Sequence, residues 1–480
     1  MANKANKIQY IAYDNWRQGL IDKFSASEIS DNALAGIVNA NILENGNIQK
    51  RLGYTVLGAE ITASGLIQGL HYFGYQNQML TVCTDSLYKF VVGSDSVWTS
   101  AGSGLTANKK TEFANALTYC WITNYSNVPK RYNGTTMTDS GTGTSPDNNR
   151  PLRAQYTQFH QNRLFYGKVR ETDGSYYESR YRYSGLRAIE GVDAWDVDAY
   201  FDAEADDGDK ISGIRKYRNS LAIAKDNSLH ILKGTSALDF GQFTYDTING
   251  CVANRTMREV EESLLFLTRN GVFVFDGMII RPFSENIKTT FDALTQSVLH
   301  NACGIYFDNK YIVSFPGDNK VLSYDTLSKS WTTYTNIRAI DFAVYTPSAN
   351  AQRLYFGASN VRYVYRLFSG NNDNGSHISA NFTTKKYDQG SPHIKHQYHQ
   401  LWCFADGHAS DSFAVSFRLD DTTAWTSLGT FTLSNEYKKF NFPAGSVGRR
   451  IQFKAENTSS YSVWTFKKFI LSYEDVREAA

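Results

Sequence analysis

The chain has 480 residues, 42% of them hydrophobic and 20% charged, with a formal net charge of +2. That length and composition suit two or three folded domains and exclude a disordered polymer, and the near-neutral balance excludes the strongly basic character of a chain that grips nucleic acid over its whole surface. Aromatic residues reach 14% (Tyr 31, Phe 29, Trp 8) and 35 glycines accompany them, a combination that fits pleated strands joined by turns.

Residues 1–7 are polar and no apolar run follows them, so no secretory signal is expected. No stretch approaches the roughly 20 apolar residues of a membrane helix, so membrane insertion is not expected either. Residues 1–64 predict an N-terminal segment with strand and one short helix, 30–38, that joins the domain after it.

From there, short apolar runs recur at 78–83, 163–166, 221–224, 264–267, 311–315 and 353–356. Between them stand Asn133-Gly134, Asp173-Gly174, Asp207-Gly208, Asn270-Gly271 and Asp276-Gly277, residue pairs that tolerate the positive φ of hairpin turns. The clearest case is 264–280, LLFLTRNGVFVFDGMII, which reads as two strands around Asn270-Gly271 and a third after Asp276-Gly277. The phrase "strand, turn, strand, aromatic" repeats at 73–90, 217–234, 264–277, 306–325 and 352–367. At the roughly 40–50-residue period of propeller blades, 65–370 would hold six or seven of them, although a two-sheet sandwich gives a similar rhythm.

Within that region 141–151 reads as a polar excursion. After Pro282 one helix is predicted, with Ile287, Phe291, Leu294 and Val298 on one face, Ser284 as cap and Glu285 in its first turn. The run SGNNDNGS at 369–376 marks a break. Longer strands follow it, so 371–480 is expected to form a separate, jelly-roll-like β-sandwich. The expected fold is therefore all-β, a β-propeller at 65–370 followed by a C-terminal β-sandwich, with few helices.

Local catalytic signatures are missing. There is no GxSxG elbow, no GxxxxGK[ST] loop, no HExxH, and no S-x-D-x-G-x-x-W turn of sialidase-type propellers. A non-enzymatic protein without a cofactor is expected, while paired carboxylates converging from different blades would leave no local spacing to find. Cys83, Cys120, Cys251, Cys303 and Cys403 are widely spaced and read as buried, reduced thiols. His393, His396 and His399 cannot converge on one ion from a single strand and read as polar surface groups.

The stretch 190–209 carries nine carboxylates, of which Asp202, Asp206 and Asp209 are candidate metal ligands without EF-hand spacing. Just before it, Lys168, Arg170, Arg180, Arg182 and Arg187 interleave with tyrosines. Such interleaving suits nucleic-acid binding, but adjacent basic and acidic blocks also suit head-to-tail pairing between ring neighbours, the preferred reading. On it, Lys168, Arg170, Arg180, Arg182 and Arg187 would meet Asp196, Asp198, Asp202, Asp206 and Asp207 of a second copy, and deleting 190–209 would abolish assembly but leave a folded monomer.

The order of several phrases resembles the tail hub, nozzle or packaged-DNA stabilisation proteins of tailed bacteriophages. The opening NANILENGNIQKRLGY at 39–54, the middle WDVDAYFDAEADDGDKISGI at 195–214 with Gly250-Cys251 and Pro282-Phe283-Ser284, and the end from Lys385 to His399 into Leu401-Trp402 and Gly448-Arg449-Arg450 carry it. The resemblance covers most of the chain. It implies a virion protein, assembled in the bacterial cytoplasm, that forms a homo-oligomeric ring, commonly hexameric, below the portal and adaptor. Such a ring retains packaged double-stranded DNA and permits its ejection. The alternative is a tail-borne receptor-binding or polysaccharide-binding or depolymerising propeller.

Overall fold

The hairpin predicted from 264–280 shows how strands form here. In the computed structural model, which describes residues 7–140, 150–189, 194–205, 207–347, 351–457 and 462–476, strand Ser263–Thr268 pairs antiparallel with Gly271–Phe275, and that strand with Ile280–Pro282. Every residue of Gly271–Phe275 is buried, because both faces of the strand are covered by neighbouring sheets. Continuous apolar runs are the sequence form of that double burial. Gly271 takes a φ of +140°, which the turn after Asn270 requires.

Six such sheets are four-stranded blades, and a seventh four-stranded unit, Cys303–Phe307 to Ser330–Thr335, is the inner part of a ten-stranded sheet. In ring order the innermost strands are Ile67–Phe73 (blade 1), Glu112–Ala116 (blade 2), Arg153–His160 (blade 3), Ile211–Tyr217 (blade 4), Arg258–Val260 (blade 5), Cys303–Phe307 (blade 6) and Ala339–Tyr345 (blade 7). Each packs on the next, and the seventh packs back on the first, closing a propeller. Its core lies between blades, as where Ala114, Ala116 and Trp121 of blade 2 cluster with Ala154, Leu164 and Tyr166 of blade 3. The five cysteines are buried and free, and burial raises their thiols, Cys83 to about 12 and Cys251 to about 11.

Two sheets form the C-terminal part. One contains Lys395–Asp406 and Thr465–Val476; the other, Asn381–Thr384, Ser412–Leu419, Thr426–Thr432 and Ile451–Asn457. Trp16 is fully buried among Phe382, Phe466 and Phe469. The second sheet is continuous with blade 6. Gly19 pairs with Ala33 and with Trp331, and Val38 pairs with Thr333, so one ladder runs from wheel to sandwich.

Several expectations need correction. Residues 30–38 hold a strand, Ala33–Val38, not a helix, because its residues pair on both edges. Among the described residues of 1–64, Tyr54–Val56 is the outermost strand of blade 7 and the chain after it, with Ile61 buried, packs on blades 1 and 7; five earlier strands belong to the sandwich sheets, two of them pairing also with blade 6. After Pro282 the chain forms a short helix, Lys288–Asp292, between 3-10 turns. Ile287, Phe291 and Leu294 are buried as expected, but Ser284 gives no cap. Its hydroxyl instead accepts the Val272 amide. His396 is buried and paired with Asp475 at 2.9 Å, so it is not a surface histidine. The excursion at 141–151 falls mostly outside the described residues.

Candidate functional site

The basic and acidic blocks proposed as an interface meet within one chain. Strand Tyr176–Tyr183 of blade 3 pairs with Tyr200–Asp202 and sets Arg180 opposite Asp202. The Arg180 guanidinium donates to both Asp202 oxygens, at 2.8 and 2.9 Å, and lies between the rings of Tyr177 and Tyr200, at 3.9 and 3.8 Å. Its hydrogen bonds to the Asp202 carboxylate hold it still more firmly protonated. Arg182 is buried and donates to Glu171 at 3.1 Å and to the Asp196 and Val197 carbonyls. Arg170 donates to Gly174 O at 3.1 Å, and Lys168 reaches Glu178 at 2.8 Å.

The acidic side is used in the same way. Lys225 of blade 4, fully buried, donates to both Asp207 oxygens at 2.5 Å and to the carbonyls of Ala203 and Glu204. Burial works against the Asp207 carboxylate, and the Lys225 hydrogen bonds hold it below the usual range nonetheless. Asp209 accepts the amides of Asp226, Asn227 and Lys210. Asp202 and Asp209 therefore serve as intramolecular clamps, Asp206 lies outside the described residues, and no group of three potential ligands converges among the described residues. Asp196, Asp198 and Arg187 are exposed. Deleting 190–209 would remove the buried Trp195, the outermost strand of blade 3 and the Lys225 clamp, so it cannot leave the monomer intact.

A second site emerges on the propeller axis. The turn Asn254–Thr256 enters the wheel ahead of blade 5. Arg255 donates to Gln68 O of blade 1 at 2.9 Å, Thr111 O and Glu112 of blade 2 at 2.6 and 3.0 Å, and Ile340 O of blade 7 at 3.0 Å. Asp341 lies 3.5 Å away. Asn254 accepts the Ile214 amide of blade 4, and Tyr311 of blade 6 donates to Thr256 O. One side chain reaching blades 1, 2 and 7 from blade 5 must sit on the axis. A Cβ at Gly69 would stand 2.5 Å from Thr111 O, so the strands approach this closely only because that position has no side chain. Burial opposes the Glu112 carboxylate, but the charges of Arg255 and Arg215 hold it below the usual range. The axis is plugged by an ion-pair network.

Above the plug a cavity of about 710 Å³ opens. Its wall carries Lys109, Lys110, Lys168, Lys210, Arg255 and Arg269 against two carboxylates, Glu112 and Asp226. Burial, then the Arg255 charge, pushes Lys110 down to about 8, and burial raises Asp226. Of these residues the sequence reading had singled out Lys168 alone. The others come from separate blades, with no local spacing to connect them.

No family model matches the chain, and no curated protein does. Among solved structures it is similar to YCF48 bound to D1 peptide, at 8% identity and a TM-score of 0.40, over 66% of this chain and all of that one. It is similar to the WD40 propeller domain of Doa1, at 10% identity and 0.42, over 66% and 97%. It is also similar to Raptor of Chaetomium thermophilum, at 9% identity and 0.43, over 66% and 29%. The closed ring of blades described above, and not these distant likenesses, makes the chain an all-β propeller continuous with a C-terminal β-sandwich.

Proposed function

We propose that this protein is a structural component of a bacteriophage tail, whose copies stand side by side as a ring, commonly of six, below the portal and its adaptor. The reading assigns it no catalysis and no cofactor; it contributes shape to the passage through which packaged DNA leaves. One observation carries it. The opening motif of the resemblance, 39–54, is the seam between wheel and sandwich.

Arg51 is fully buried there. It donates to both Asp373 oxygens at 2.8 and 2.6 Å, to the Asn39 side chain at 2.9 Å and to Thr335 O at 3.0 Å. Gly53 passes against Asn372, and Tyr54 begins the closing strand of blade 7. These residues are therefore tied to this architecture, in which a sandwich is held at a fixed angle to a propeller.

Because Arg255 closes the axis, a DNA passage would run between copies and not through the wheel. The internally paired blocks of blade 3 leave little for a neighbour, so the interface moves elsewhere. Leu238, Phe243 and Ile248 on and beside the outermost strand of blade 4, with Met278 and Ile279 on blade 5, are large exposed apolar side chains. Exposed apolar side chains in such numbers support association, and copies set side by side would cover them. Mass photometry and negative-stain images of the purified chain should show closed rings, and antibody to the chain should label particles at the tail. Substituting Leu238→Asp together with Ile248→Asp should give folded monomers. A chain that stays monomeric at all concentrations and is missing from virions would refute the reading.

A further inference from the structure

Apart from any ring, the axial cavity has the form of a binding site. Six Lys and Arg side chains against two carboxylates give its wall a formal +4, in a chain whose total is only +2; Lys168 is paired with Glu178 just outside the wall, which leaves about +3. Glu112 is already engaged by Arg255, Asn254 and Arg215, so it offers the positive wall little further compensation. Asp226 faces Arg269 only at 4.0 Å. Among the described residues no hydrogen bond or ion pair engages the ammonium groups of Lys109 or Lys210. Concave walls of low dielectric focus such a field.

We propose that this funnel binds a compact phosphate-class polyanion, one with two or more phosphoryl groups close together. The donors favour that chemistry. Carboxylates are matched best by planar guanidinium forks, and of the two arginines in the wall Arg255 is consumed by the plug. The remaining cations are mainly lysines, compact point charges with rotatable donors, which suit an anion of high charge density. The plug makes the cavity blind, so the ligand is a compact group and not a threading polymer. A DNA duplex, whose major groove alone spans about 12 Å, does not enter a blind pocket of this volume. Volume is otherwise ample, since small-molecule sites commonly measure about 300–1,000 Å³.

Lys110 adds a second readout. The charged and titratable groups around it are Arg255, Glu112, Cys303, Asp341 and the His300 imidazole, and its ammonium donates to His300 O. Near its pKa of about 8 it is partly neutral. An anion in the funnel favours the charged form, so Lys110 takes up protons when the anion binds near that pH.

The test is calorimetric titration of the full chain with sodium tripolyphosphate at low salt, repeated in buffers of different ionisation enthalpy. Expected are saturable binding, a net proton exchange near pH 8 that moves toward release when Lys110→Met removes the titrating amine, and an affinity reduced about tenfold or more in the Lys109→Ala, Lys210→Ala double variant. Both side chains are exposed, so thermal unfolding of the unliganded variant should match the parent and exclude misfolding. No heat at millimolar tripolyphosphate, affinity unchanged in the double variant, or equally tight binding of an oligoglutamate peptide or a DNA duplex would each overturn the proposal. None of these results bears on ring formation, which is read by particle mass.

Discussion

Single residues here are fixed by what burial does to charge. His160 is 4% exposed, lies beside Phe165, and its Nε2 has no hydrogen-bond partner among the described residues. Burial, then the nearby Lys216 charge, pushes its pKa down to about 4. Protonation therefore occurs in the unfolded chain at a higher pH than in the folded one. The neutral folded state is unpenalised above pH 6.5, and stability falls as pH drops from there through about 4. The full loss is on the order of 3 kcal/mol. The urea midpoint of the parent should decline more steeply across this window than that of His160→Gln. Parallel curves would show that the ring is not held neutral.

Arg51 follows the same logic with opposite means, since a fully buried guanidinium must find partners on every side. Nothing local announces this. The sequence presents Arg51 as an ordinary basic residue, and the partners Asp373 and Thr335 stand about 300 positions away in the chain.

At the scale of elements, the strand–turn–strand phrases at 73–90, 217–234, 264–277, 306–325 and 352–367 fall on the middle strands of blades 1, 4, 5, 6 and 7. The second strand of each of these blades is buried almost throughout and so is written as a nearly continuous apolar run. Blades 2 and 3 escaped the pattern. YYESRYRY in blade 3 mixes charge with aromatic rings because its arginines are packed against tyrosines and carboxylates inside the blade. The short helix expected at 30–38 failed for a related reason. ALAGIV has no turn signal to separate the two forms, and pairing with distant strands decided in favour of a strand.

The closing element depends on one contact. A Cβ on Gly53 would stand 1.8 Å from the Asn372 carbonyl oxygen, backbone against backbone, with no flexible side chain to yield. Gly53→Ala should therefore displace Tyr54–Val56 from blade 7, at a cost of about 1–3 kcal/mol or more. Hydrogen exchange should show lost protection at Val364–Leu367, the strand it covers. Unchanged protection there would mean that the seam is more pliable than its geometry suggests.

Over the whole molecule, propeller and sandwich are woven together. The five strands before Arg51 lie in the sandwich sheets, the next strand closes blade 7, and one ten-stranded sheet includes blade 6. The boundary read at 369–376 is correspondingly tied down, with Asp373 buried at the seam. The full chain should accordingly unfold in a single calorimetric transition. A chain lacking residues 1–56 should lose both parts at once, becoming protease-sensitive in the propeller as well as the sandwich. Two separate endotherms in the full chain would contradict this coupling.

The all-β class, the propeller rhythm and the positions of most hairpins are local properties, written in aromatic content, turn dipeptides and apolar runs, and the sequence by itself determined them. The pairing of Arg180 with Asp202, the Arg255 plug, the funnel and the seam depend on residues from different blades meeting in space. Tertiary structure decided those, because the desolvation of a charge is set by everything packed around it and not by its neighbours in the chain.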